Sequence, residues 1–162
     1  MAKTEDAALR EQLAALLKGG QAHATFSDAV AHFPANRISE RPAGTPYSAW
    51  QLVEHIRITL HDLLEFVTNS EYVELEWPAE YWPQDAAPGK GESWDTTVNA
   101  IHADMKSFES LIHSPDRNLY ATIPWGKNGE TLLREVLLAA DHTSYHVGEL
   151  ILLRRVLGIW KS

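Results

Sequence analysis

The stretch DHTSYHVGEL places His142 and His146 four residues apart. A helix advances ~100° per residue, so the two rings stand ~40° apart around the axis and one turn apart along it. They can therefore offer two imidazoles to one ion, which is what His-x-x-x-His does in metal sites. Thr143 follows the first histidine where the zincin motif needs Glu, and this excludes a metalloprotease. On the same wheel His142 lies near Leu138 and Ala139, and His146 near Leu150 and Leu153, so the pair faces inward or borders the inward face. Inward titratable rings cost free energy unless they are hydrogen-bonded or ligated. Spacing alone leaves two readings: half of a metal site, or two histidines satisfied by hydrogen bonds at the edge of a core.

Two ligands do not hold a catalytic metal, so a third must come from another helix. His23, His32, His55, His61, His102 and His113 are available. His32 and His113 fall near helix ends and suit caps or solvent, and His102 lies off the apolar stripe of its helix. His61 is ~240° from His55 around their shared helix, so only one of them can face a core. His55 sits mid-helix at the stripe's border and is the best third ligand by geometry, though not a unique choice. Glu149, three residues past His146, shares the face of the pair and can serve as fourth ligand, outer hydrogen-bond partner or base. Glu135, seven before His142, is read as structural, and Asp141 points to solvent.

The helices that would position these side chains are legible as amphipathic stripes. The first spans about Glu5 to Phe33, interrupted by Gly19-Gly20, which weaken a helix, and stopped by Pro34. The second follows GTPYS, with Ser48 as N-cap, Gln51 completing a capping box, and a stripe of Leu52, Val53, Ile56, Leu60, Leu63, Leu64 and Val67. EWPAEYWPQDAAPGKGES, with three prolines and two glycines, is a loop. The third helix runs from Ser93 or Asp95 to His113 on Val98, Ile101, Met105, Phe108, Leu111 and Ile112. LYATIPWGKNGET reads as a hairpin-like segment turning at Asn128-Gly129. The fourth helix runs from Leu132 to about Leu157 with Gly158 as its C′ residue. The expected fold is all-α, an antiparallel four-helix bundle forming a single domain over residues 1–162.

The chain's 162 residues carry no cysteine, so thiolate zinc sites, disulfides and cysteine nucleophiles are excluded and any metal rests on His, carboxylate or water. The net charge of −8 disfavours nucleic acid. No run of ~18 apolar residues suggests a membrane span, and the acidic N-terminus does not read as a signal peptide, so a cytoplasmic location is expected.

YSAWQLVEHIRITLHDLLEF resembles the second helix of DinB-like (YfiT-like) proteins, where an aromatic and polar entry precedes a helix carrying one His. WGKNGETLLREVLLAADHTSYHVGELILLRRVLG resembles their last segment: a Trp-Gly turn, His-x-x-x-His, a Gly and polar residue, and an LRRxLG ending. The resemblance implies a four-helix bundle in which His55, His142 and His146 hold a divalent ion, and a homodimer. Members of known activity are thiol-dependent transferases or isomerases, so the resemblance implies a metal that activates a low-molecular-weight thiol. With an open three-histidine site able to activate water as well, the expected function is a metal-dependent transferase or hydrolase acting on a small-molecule substrate. The position after HxG is often Gln in the family and is Glu149 here, which puts copying a relative's substrate in doubt.

An all-nitrogen site favours Zn²⁺ or Ni²⁺, with Fe²⁺ and Mn²⁺ behind, and the outer acceptors for the rings are expected among Glu149, Thr59 and Asp62. Trp77, Tyr81, Trp82 and Trp94 of the long loop either line a substrate pocket or close the end of the core, with Trp125 flanking the same mouth. The other function class is a non-catalytic, stress-associated metal- or ligand-binding bundle. A bundle without metal would require His55, His142 and His146 to lie far apart.

Overall fold

Thr4, Thr25, Ser48, Ser93 and Thr131 each precede a helix, and the side chain of each accepts the backbone N–H three residues on. A short hydroxyl there satisfies one of the amides that the first turn leaves without a partner. The computed structural model describes residues 4–160. The helices that follow these caps are α1 (Glu5–Lys18), α2 (Phe26–Val30), α3 (Ala49–Thr68), α4 (Trp94–His113) and α5 (Leu132–Val156), with a 3₁₀ turn at Ala35–Arg37.

The first helix is thus not one interrupted element but two. Gly19 and Gly20 take φ of 72° and 81°, outside any right-handed helix, and Thr25 starts afresh with a reciprocal capping box to Asp28. The capping box expected at Ser48 and Gln51 is present. Gly158, with φ 71°, follows α5 as expected of a C′ residue. The hairpin-like segment reduces to one antiparallel bridge between Thr122 and Thr131, with Ile123 N–H donating to Glu130 O at 2.8 Å. Pro124 offers no N–H for a further rung, and Gly126 N–H turns back onto Ile123 O. The Asn128-Gly129 turn survives, closed by the Glu130 carboxylate accepting Asn128 N–H at 2.9 Å. There is no strand among the described residues.

α3 is packed against both α4 and α5. Its Val53, Ile56 and Leu60 meet Ile101, Phe108 and Ile112 of α4 and Val136, Val147 and Leu150 of α5 in one connected core. Each such side chain contributes about 1.5–3 kcal/mol on burial. His55 faces His142, while the charge of Asp62 bears on Glu135, so α5 recedes as α3 advances and the two run in opposite directions. Among the described residues no helix is long and apolar enough to cross a membrane.

Two arginines hold the smaller helices on. Arg10 of α1 donates to Ile112 O (2.6 Å), Ser114 O (3.2 Å) and Arg117 O (2.7 Å) at the end of α4. Arg154 of α5 donates to Ala29 O (2.6 Å) in α2 and lies over the Phe33 and Trp160 rings. A guanidinium is well matched to the electronegative end of a helix, where carbonyls lack partners. Arg10→Ala is expected to lower unfolding free energy by about 2 kcal/mol. Removing its exposed ion-pair partner in Asp6→Ala is expected to cost below about 1 kcal/mol. Urea denaturation of both variants measures the difference.

Candidate metal centre

The capping box that starts α3 also fixes the loop beside it. Ser48 Oγ, besides accepting from Gln51 N–H, donates to Ala86 O at 2.7 Å, and Gln51 Nε2 donates to Pro83 O at 3.2 Å. This seats Tyr81 and Trp82 against His55, two turns into the helix. His55 Nδ1–H donates to Tyr81 O at 2.7 Å, and the Trp82 indole stacks on the imidazole with centroids 3.7 Å apart and planes within 8°. Tyr47 stacks in turn on Trp82 at 3.9 Å. His55 is left 1% exposed.

α5 brings His142 and His146 to the same point. The three ring centroids lie 4.5–4.9 Å apart, and one ligand nitrogen from each ring lies within 4.8 Å of the others. His55 Nε2 and His142 Nε2 are 3.0 Å apart, and His146 Nδ1 is 2.6 Å from Glu149 Oε2. A carbonyl can only accept, so His55 carries its proton on Nδ1 and presents a bare Nε2. The bond to Glu149 does the same for His146. Two of the three rings thus have the outer acceptor that ligating histidines require, and a 3.0 Å separation suits two nitrogens on one ion at ~2.0–2.1 Å. The donor set fits a metal ion.

Burial keeps the rings neutral, as ligation demands. Desolvation, with the positive charge of protonated His146 adding to it, lowers the pKa of His55 to about 4 against the raising effect of Tyr81 O. Desolvation and its two neighbours lower His142 to about 3. His146 is also lowered by burial, with Glu149 opposing.

The remaining histidines stay apart. His23, His32, His61, His102 and His113 are exposed; His61 meets Asp104 at 3.2 Å and His102 packs edge-on to Phe26. Asp141 is exposed, as expected. Of the expected outer acceptors only Glu149 serves a ring. Asp62 instead accepts the hydroxyls of Tyr72 and Tyr81, and Thr59 Oγ1 is buried without a partner. Tyr81 O was missed because a backbone carbonyl has no residue-type signature. Of the loop aromatics, Tyr81 and Trp82 reach the site, Trp94 packs on Phe33, and Trp77 is 69% exposed. Glu135, read as structural, is completely buried, with Oε1 paired to Arg134 and Oε2 unpaired.

A family model described as the DinB superfamily matches residues 20–150. The chain belongs to the DinB superfamily. Comparison with curated proteins and with solved structures gave no match. The DinB match contains all three clustered histidines and Glu149, while α1 lies outside it.

With folded pKa values near 4 and 3 for His55 and His142 against an ordinary 6.5, the unfolded chain takes up protons that the folded one refuses. The stability of metal-free protein is therefore expected to be full above pH 6.5 and to fall as pH drops from 6.5 toward 4. Urea midpoints in chelator should show this, with a shallower dependence in His142→Ala. Glu149→Ala is expected to weaken metal affinity about 10–100-fold, measured by competition with a chromogenic chelator.

Proposed function

We propose that this DinB-superfamily chain holds a divalent ion on His55, His142 and His146 and is a metal-dependent transferase or hydrolase acting on a small molecule with a thiol or water as nucleophile. The observation that carries the reading is the proton placement in a cluster of three rings: Tyr81 O and Glu149 hold the Nδ1 protons of two of them, leaving their other nitrogens bare. The all-nitrogen set favours Zn²⁺ or Ni²⁺ over Fe²⁺ or Mn²⁺. When bound, such an ion acts as a Lewis acid that lowers the pKa of a coordinated thiol or water.

The chain's own groups do the rest. The Trp82 and Tyr47 rings cover His55 and keep bulk water off it. Glu149 is the base: with Oε2 held by His146, Oε1 accepts the proton that the nucleophile loses. The absence of cysteine means that the attacking sulfur, where sulfur is used, is brought by a low-molecular-weight thiol. The same reading takes residues 1–162 as one domain, the four long helices as an antiparallel four-helix bundle, and the cytoplasm, where small thiols are kept reduced, as its location. It takes the assembly as a homodimer, supported by an exposed apolar row on α5 of Leu138, Tyr145 and Leu152, and, with a net charge of −8, assigns no nucleic-acid partner.

Elemental analysis of tag-free protein is expected to give one divalent ion per chain, lost in His142→Ala/His146→Ala. Metal that persists in that variant would sink the three-histidine assignment. A panel of small thiols with electrophiles is expected to show turnover that a chelator abolishes. Stoichiometric metal with no turnover across the panel would leave the non-catalytic binding bundle as the function.

A further inference from the structure

A cavity of 440 Å³ lies beside the histidine cluster, lined by Asp62, Leu63 and Phe66 of α3, Arg134, Glu135 and Leu138 of α5 and the segments next to these helices. The cavity and the metal centre share a wall. Tyr81, whose carbonyl orients His55, lines it with its side chain, and Leu138 lines it one turn before His142. Four of the lining residues are aromatic: Phe66, Tyr72, Tyr81 and Trp125. Their polar ends are already engaged within the protein. Both tyrosine hydroxyls donate to Asp62, at 2.9 and 2.7 Å, and Trp125 Nε1 donates to Phe66 O at 2.6 Å. What these side chains leave to a ligand is π surface.

The charges are unequal. Asp62, Glu74, Glu130 and Glu135 stand against Lys127 and Arg134, four carboxyl groups to two cations. Both cations are spoken for: Lys127 Nζ lies 2.7 Å from Glu74, and Arg134 Nη1 lies 2.7 Å from Glu135 Oε1. Glu135 Oε2 has no partner although the residue is 0% exposed. A buried acceptor without a donor is destabilising until a donor arrives. Aromatic faces and a spare carboxyl oxygen together select a cation.

We propose that this cavity binds a small primary amine as its ammonium ion, the ammonium donating to Glu135 Oε2 against the rings of Tyr72, Tyr81 and Trp125. Burial raises the pKa of Glu135 and Arg134 lowers it, and an arriving ammonium acts in the same sense as Arg134. Joined to the metal reading, on which this step rests, the small-molecule substrate is one that carries an amino group; the binding itself requires no metal.

Three probes of one length separate the chemistry: putrescine, butane-1,4-diol and succinate. NMR titration of the Trp125 indole N–H, assigned with Trp125→Phe, is expected to show saturable shifts with putrescine and at least tenfold weaker binding of the other two. Glu135→Gln is expected to weaken putrescine at least tenfold with an unchanged circular dichroism spectrum. Arg134→Gln, altering a side chain that is 58% exposed, is expected to tighten it by releasing Glu135. Equal binding of the diol, tighter binding of succinate, or no shift at Trp125 with any probe would overturn the proposal. So would unaltered putrescine affinity in Arg134→Gln, should Glu135→Gln fail to fold. The titration repeated in chelator is expected to give the same affinity. Loss of binding there would place the amine on the ion and overturn the cavity assignment, whereas failure of the metal reading alone leaves these results unchanged.

Discussion

A buried imidazole must place one proton, and the bond from His55 Nδ1 to Tyr81 O decides where it goes. At 1% exposure, water cannot serve as the alternative acceptor. That single bond fixes the tautomer of His55, turns its Nε2 toward α5, and requires the 81–82 backbone to lie against α3. The capping box at Ser48 and Gln51 is what allows this, since both residues also bind the loop, through Ala86 O and Pro83 O. Helix initiation, loop placement and ring orientation are thus three consequences of one local arrangement. A capping residue is ordinarily worth about 1 kcal/mol; here it also sets the direction of a candidate ligand.

The interface of α3 with α5 is polar along one seam and apolar elsewhere. His55 and His142 come first, then the unpaired Thr59 hydroxyl, then Asp62 and the unpaired oxygen of Glu135. Buried polar atoms without partners each cost about 1–3 kcal/mol. The apolar residues around them, Val53, Ile56 and Leu60 with Val136, Val147 and Leu150, offset that cost. Unpaired polar atoms gathered along one seam of a core so well filled elsewhere are what the proposed ligand readings rest on. The seam also explains the depressed imidazole pKa values: packing that excludes water from the rings disfavours their charged forms and leaves the lone pairs available.

Much of this was legible in the residues, for physical reasons that can be named. Period-3.6 stripes, with the capping box at Ser48 for α3 and Gly158 as the stop of α5, found α3, α4 and α5 within about a residue. The His142/His146 pair was legible because i,i+4 spacing is a local property of one helix. His55 was harder: its proximity is set by how α3 packs on α5, so helix geometry ranked it first among the candidates without making it unique, and the resemblance then selected it. The glycine pair was seen, but its consequence, a full break before a new cap at Thr25, depends on two positive φ angles that the residue type permits without dictating. Tyr81 O was invisible, since every residue has a carbonyl. The burial of Glu135 was illegible for a related reason: its helical position puts it on the histidine line, but only packing against the rest of the chain seals it from water.

The two outer acceptors differ in kind, and this has a chemical consequence for the third ring. Tyr81 O and the Glu149 carboxylate orient His55 and His146, whereas the contact that His142 makes through Nε2 is with His55 itself. Because His55 Nε2 carries no proton, that 3.0 Å contact without metal is a bond donated by His142 Nε2–H. Were His142 to ligate an ion through that nitrogen, its proton would have to move to Nδ1. The change is one of tautomer and not of charge, because His142 is already neutral far below pH 7, with a pKa of about 3. Metal entry at neutral pH therefore need not expel a proton from these imidazoles, in contrast to sites built from thiols. Ligation through that nitrogen would break one imidazole–imidazole hydrogen bond, in a cluster already desolvated and with two of its three rings already oriented.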